Sequence, residues 1–143
     1  MARVASRARE GVHGPEDLDT LLPDCDIVVV LAALSEQTAG LVDAAFLARL
    51  PDGALVLNAA RGGVLDQDAL LAELRAGRLL AALDVADPDP LPADHPLLGA
   101  PGVLYTPHVA GATRATLPNV YGFVGEQVRR HAAGEPLVNV ITP

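Results

Sequence analysis

At 143 residues, half of them hydrophobic and a fifth charged, the chain has the length and apolar content for one domain with a buried core. Ten basic residues, all arginine, face 18 acidic ones, for a net charge of −8; this balance argues against a non-specific nucleic-acid binder and against adhesion to an anionic membrane. The single cysteine, Cys25, excludes an internal disulfide framework and a cysteine-based zinc cage. The longest clean apolar run, Ile27 to Leu34, is too short to span a bilayer. Met1 to Glu10 has no apolar stretch of the secretory type, so a cytoplasmic protein is expected.

In chain order, Ala2 to Ser6 reads as a candidate first strand, and Pro15 to Leu22 as a helix with proline near its start and acids in its first turn. The run Ile27-Val28-Val29-Val30-Leu31 reads as a strand buried on both faces. Asp43 to Leu50 carries apolar residues at helical spacing, and Ala54 to Leu57 reads as the next strand. Asp66 to Gly77 is the clearest helix, with an Asp cap, apolar residues at 70, 71 and 74, a basic last turn and a terminal glycine. Leu79 to Leu83 is Ala/Leu-rich and would also suit a helix, but Gly77 before it and the proline-rich Ala86 to Pro92 after it favour a strand. Val103 to Tyr105 is the last strand, and a helix over about 114–133 closes the chain. Strands alternating with helices predict a parallel α/β sheet.

Ligands of such sheets bind beyond the carboxyl ends of the strands, and three of these ends carry unusual polar residues. In Asn58-Ala59-Ala60-Arg61-Gly62-Gly63, Arg61 suits a carboxylate clamp, and equally a solvated turn arginine. Asp84 ends the next strand and can accept a hydrogen bond from a ligand amide or hydroxyl, while Asp87 or Asp89 can orient a histidine. The same acids also fit a plain acidic surface loop; a divalent metal site lacks further ligands. In Tyr105-Thr106-Pro107-His108-Val109-Ala110-Gly111, His108 is placed for general acid/base work, and a structural histidine fits as well. His13, His95 and His131 show no metal-ligand spacing.

Taken in series, these segments resemble the D-isomer-specific 2-hydroxyacid dehydrogenases: Asn58-Ala59-Ala60-Arg61-Gly62, Leu83-Asp84-Val85 with Pro88-Asp89-Pro90-Leu91-Pro92, Asp94-His95-Pro96-Leu97, and Thr106-Pro107-His108-Val109-Ala110-Gly111. Leu22 to Val29 and Thr38 to Val42 fit the preceding part, so the resemblance covers nearly the whole chain. It implies a Rossmann-type doubly wound sheet and hydride transfer between NAD or NADP and a small 2-hydroxy or 2-keto acid. It implies that Arg61 binds the substrate carboxylate and polarises its keto oxygen, that His108 passes the proton, and that Asp89 holds His108 in its tautomer. By the same resemblance Asp84 bonds the nicotinamide amide, and Ala59, Ala60, Arg61, His108 and Gly111 line the cofactor groove. The end of the family's second strand binds the ribose; here it offers Ser6, Arg7 and Arg9, and Arg7 suits the 2′-phosphate of NADP.

The sequence departs from the family in three ways. Asp89 stands where a Glu is usual, Ala33 stands where a proline is usual, and no Gly-x-Gly-x-x-Gly occurs. The expectation is therefore a partial NAD(P)-binding domain over residues 1–133, lacking the first strand and its Gly-rich loop. Residues 134–143 form a tail that returns toward a missing substrate domain. In the strand order 3-2-1-4-5-6, residues 2–6 would be strand 2, Ile27 would open strand 3, and Ala54, Leu79 and Val103 would open strands 4 to 6. The absent central strand would leave a slot between residues 2–6 and 54–57; a direct ladder between them is the alternative. Such a chain is expected to be a truncated, poorly active enzyme, completed by a second copy or a complementing chain. The rival reading is a non-catalytic remnant or interaction module that keeps only the fold.

Overall fold

Four of the apolar runs form four parallel strands, β1 (Ile27–Val30), β2 (Leu55–Asn58), β3 (Leu80–Leu83) and β4 (Val103–Tyr105), hydrogen-bonded in that order. Ile27 pairs with Leu55 and Leu55 with Leu80, while Leu83 pairs with Tyr105. The helices are α1 (Leu18–Leu21), α2 (Ala44–Ala48), α3 (Gln67–Arg75) and α4 (Thr116–Ala132), with short 3₁₀ turns at Pro15–Asp17, Leu22–Asp24, Gly62–Val64 and Pro96–Gly99. The computed structural model describes residues 1–140, in two compact units that divide between Val109 and Ala110. Residues 141–143 of the expected tail lie outside the described residues.

The helices begin where local chemistry starts them. Asp43 accepts the Phe46 N–H at 2.8 Å and Asp66 accepts the Ala69 N–H at 2.9 Å, each satisfying a donor that a helix start leaves unpaired. Gly77 stops α3 at φ +69°, a conformation glycine adopts without a Cβ clash. In α4, Pro118 falls within the first turn, where its missing N–H costs nothing.

The core of the first unit lies on one face of the sheet. Val30, Val56, Ala81 and Leu83 pack there with Phe46, Leu47 and Leu50 at α2 and with Leu70, Leu71 and Leu74 of α3. The alternate strand residues point the other way, and Ile27, Val29, Leu80 and Leu104 on that face are exposed. In the second unit the apolar side chains of α4, among them Leu117, Tyr121 and Val128, are exposed. No helix among the described residues is long and apolar enough to cross a membrane.

The expected amino-end strand is not formed. Residues 2–6 contribute one parallel bridge, Val4 to His13, with Ala5 N–H donating to the His13 carbonyl at 3.0 Å. The neighbours of β2 are β1 and β3, so neither the slot nor a ladder between residues 2–6 and 54–57 exists. The Ile27–Val30 run is unbroken and β-branched, while residues 2–6 are interrupted by Arg3 and Ser6 and stay mostly exposed.

Arg78, between α3 and β3, ties the helices together. Its guanidinium donates to the Leu47 and Leu50 carbonyls at 2.6 and 2.7 Å, closing the end of α2, and to Glu73 at 2.6 Å. The hydrogen bond from Arg78 holds the Glu73 carboxyl below its ordinary value, and the same bond raises the Arg78 guanidinium. A carboxyl lowered in the folded state stabilises above its unfolded pKa and loses that contribution as pH falls through the folded one. Arg78→Met is therefore expected to cost about 2 kcal/mol near neutral pH, through an orphaned Leu50 carbonyl and an unpaired carboxylate, while the Leu47 carbonyl keeps the Leu50 N–H. That difference should shrink as pH falls below the ordinary glutamate range, which urea unfolding of both proteins across pH 3 to 7 measures.

Candidate active site

The turn after β2 is built by a buried asparagine. Asn58 is fully buried; its Oδ1 accepts the Ala60 N–H at 3.0 Å and its Nδ2 donates to the Arg61 carbonyl at 3.1 Å. These bonds fix the backbone from which the Arg61 side chain leaves. The exposed Arg61 guanidinium donates to the Ala60 carbonyl at 2.6 Å. Gly62 follows because nothing larger fits: a Cβ there would overlap the Ala86 carbonyl. The Arg61 turn and the start of the acidic loop after β3 are thus in backbone contact. On its other side the turn is held by the Gly40 N–H donating to Gly63 and the Val42 N–H to Val64, at 2.9 and 3.0 Å.

Asp84, one residue past β3, organises the loop after β4. Its Oδ1 accepts the Thr106 hydroxyl at 2.6 Å and the Val109 N–H at 3.0 Å, and its backbone carbonyl accepts the His108 N–H at 2.8 Å. This wrap holds His108 at φ +55°, in the left-handed region. The imidazole then lies with Nδ1 2.6 Å from Asp89 Oδ2; the side chains are 49% and 28% exposed. A carboxylate only accepts, so the proton sits on Nδ1 and Nε2 is the nitrogen left to meet a ligand.

Arg61, Asp84 and His108 follow three adjacent strands at the same end of a parallel sheet. With strands about 4.8 Å apart, the Arg61 and His108 loops leave the sheet about 10 Å apart, a span that one small acid can bridge. Beside Arg61, beyond β1 and β2, a cleft of about 470 Å³ is lined by residues 31–34, Ala59, Ala60 and Arg61. Four of the seven lining residues are alanines. Of the remaining expected residues, Arg7 is exposed in a bend beside the Val4 bridge. Gly111 lies in the second unit, where its carbonyl accepts the Thr116 hydroxyl. No group of His, Cys, Asp or Glu among the described residues could hold a metal ion. The roles of Asn58 and Thr106 in holding the site were not read from the sequence; a lone amide ending the apolar run Leu55-Val56-Leu57 was the available signal for Asn58.

The family model for the D-isomer specific 2-hydroxyacid dehydrogenase, NAD binding domain, matches residues 2–110. The chain belongs to this family. It is 38% identical over 126 residues to the D-3-phosphoglycerate dehydrogenase of Archaeoglobus fulgidus, covering 87% of this chain and 24% of that protein. To the glyoxylate/hydroxypyruvate reductase B of Citrobacter koseri it is 39% identical, over 89% of this chain and 40% of that one. It is similar to the crystal structure of a D-isomer specific 2-hydroxyacid dehydrogenase from Xanthobacter autotrophicus Py2 in complex with NADPH and MES. The TM-score is 0.80 at 42% identity, covering 99% of this chain and 59% of that one. The chain thus spans less than half the length of these curated relatives. The sequence contains no Gly-x-Gly-x-x-Gly of the kind that seats a pyrophosphate.

Proposed function

We propose that this chain carries the substrate- and proton-handling part of an NAD- or NADP-dependent dehydrogenase acting on a small 2-hydroxy or 2-keto acid. The observation that carries this reading is the Asp89–His108 pair at 2.6 Å, set two strands from an exposed arginine at the same end of the sheet. Bound in the cleft beside Ala59 and Ala60, the nicotinamide would supply or take the hydride. The chain's own residues do the rest. The Arg61 fork grips the carboxylate and draws charge toward the keto oxygen. His108 moves a proton at Nε2 while Asp89 fixes its ring and balances the imidazolium. Asp84 is assigned to the nicotinamide amide by resemblance, and its bonds to Thr106 and Val109 add a second duty, holding His108 in place. Arg7 is the residue for a 2′-phosphate, which favours tolerance of NADP.

In this reading residues 1–133 belong to a partial NAD(P)-binding domain and residues 134–143 lead back toward a substrate domain, in a cytoplasmic enzyme. The exposed apolar sheet face supports completion by a further segment or a second chain. Without a pyrophosphate-binding turn or a second wall to exclude water, the 143-residue chain alone turns over little. The test is a hybrid in which residues 2–110 replace the matching segment of the Xanthobacter autotrophicus protein. The hybrid is expected to oxidise NADPH with glyoxylate or hydroxypyruvate, and Arg61→Ala to lower kcat/KM by about 100-fold or more, with the unfolding midpoint little changed. A folded hybrid that is inactive, or one indifferent to Arg61, would reject the reading.

A further inference from the structure

Between Asp87 and Leu91 the loop that carries Asp89 has prolines at 88 and 90, so only Asp87, Asp89 and Leu91 own a backbone N–H. Such a loop has few donors with which to build a hydrogen-bonded turn of its own. Its partners are collected from outside. Gln67, the first residue of α3, clasps the backbone of Asp87 with both ends of its amide: Nε2 donates to the carbonyl, and Oε1 accepts the N–H at 3.2 Å. At the far end, the Tyr105 hydroxyl on β4 accepts the Leu91 N–H at 3.1 Å. Asp89 is held between these two clasps and meets His108.

We infer that Gln67 and Tyr105 are positioning residues that set the Asp89 carboxylate against His108 and thereby fix which imidazole nitrogen carries the proton. Each acts at a distance, bonding the loop backbone two residues away from Asp89. The inference rests on the proposed Asp89–His108 pair. It adds that the tautomer, and so the availability of Nε2, is controlled from the start of α3 and from β4. Catalytic geometry tolerates little displacement, and an acid on a loop without internal bonds depends on what anchors that loop.

The test is ¹⁵N NMR of the His108 ring in the full 143-residue chain at a pH of about 8.5, where an ordinary imidazole is neutral. The wild type should show the Nδ1–H form, and Asp89→Ala should lose it. Gln67→Met and Tyr105→Phe keep side-chain volume and remove only the clasps. Each should lower the ratio of Nδ1–H to Nε2–H about fivefold, the weight of one ordinary hydrogen bond. Thermal midpoints should stay near wild type, which separates positioning from a general loss of structure. If both clasp variants keep the wild-type tautomer while Asp89→Ala loses it, the positioning role is overturned and the pair stands. If Asp89→Ala leaves the tautomer unchanged, the pair itself is wrong. Should Gln67→Met fail to fold, Tyr105→Phe carries the same comparison.

Discussion

Gly62→Ala is expected to destabilise the first unit by about 3 kcal/mol or more, at or beyond the upper end of what overpacking usually costs. The added methyl would coincide with the Ala86 carbonyl and crowd the Asp87 nitrogen, both main-chain atoms. A side chain could swing aside; here the Arg61 turn or the acidic loop must move bodily. The acidic loop is held by Gln67 and Tyr105, and the Arg61 turn by Asn58 and by the Gly40 and Val42 bonds, so neither yields cheaply. A domain with an ordinary margin of about 5–15 kcal/mol would lose a large share of it. The neighbouring Gly63→Ala is the control. Its added carbon would meet the Leu34 side chain first, at 3.4 Å, so the change should stay within about 0.5 kcal/mol. Urea unfolding of the three proteins measures both effects, and equal midpoints for Gly62→Ala and Gly63→Ala would contradict the packing described here.

Asn58→Asp is expected to be nearly as damaging, and in a pH-dependent way. The replacement is isosteric, and one oxygen can still accept the Ala60 N–H. The other oxygen would face the Arg61 carbonyl, where Nδ2 now donates, inside a fully buried pocket. At neutral pH that second oxygen of the ionised carboxylate lacks a donor and repels a carbonyl, at a cost of about 3 kcal/mol. Protonated, the same group can donate O–H to that carbonyl. The folded pKa of the introduced carboxyl therefore lies above the unfolded value. Below the unfolded pKa the penalty vanishes; it grows as pH rises through that value and is complete above the raised folded one. Unfolding of Asn58→Asp compared with wild type from pH 3 to 8 should show the gap opening with pH. A constant gap would mean that the Arg61 carbonyl is not the partner that matters.

The strands were legible because each is a short apolar run between turn signals, even the Ala/Leu-rich one at Leu80–Leu83 that helical composition also suited. Helix α3 was legible because Asp66 and Gly77 mark its ends chemically. Pairing was another matter. Nothing local in Val4 or Ile27 says which strand will be its neighbour, since a ladder joins residues far apart in sequence. A family strand order imposed from outside placed Ile27 away from Leu55, and the two are in fact paired. The cation, acid and histidine of the site could be listed from strand-end positions. Their holders could not, because Asn58, Gln67 and Tyr105 act through backbone atoms of other residues, and sequence spacing carries no trace of a bond between Gln67 and Asp87, 20 residues apart.

The left-handed backbone at His108 bears on how this domain could fall silent. Asparagine, aspartate and histidine are the non-glycine residues that occupy that region most readily, so the turn itself would accept His108→Asn with little strain. Asp84 would still wrap the loop through Thr106, Val109 and the backbone N–H of residue 108. Under the role proposed for His108, one codon change thus separates a proton-transferring domain from an inert one of the same shape. A chemically silent copy would fold, keep its cleft and escape notice by any measure of structure, and the imidazole present here is a choice the backbone does not demand.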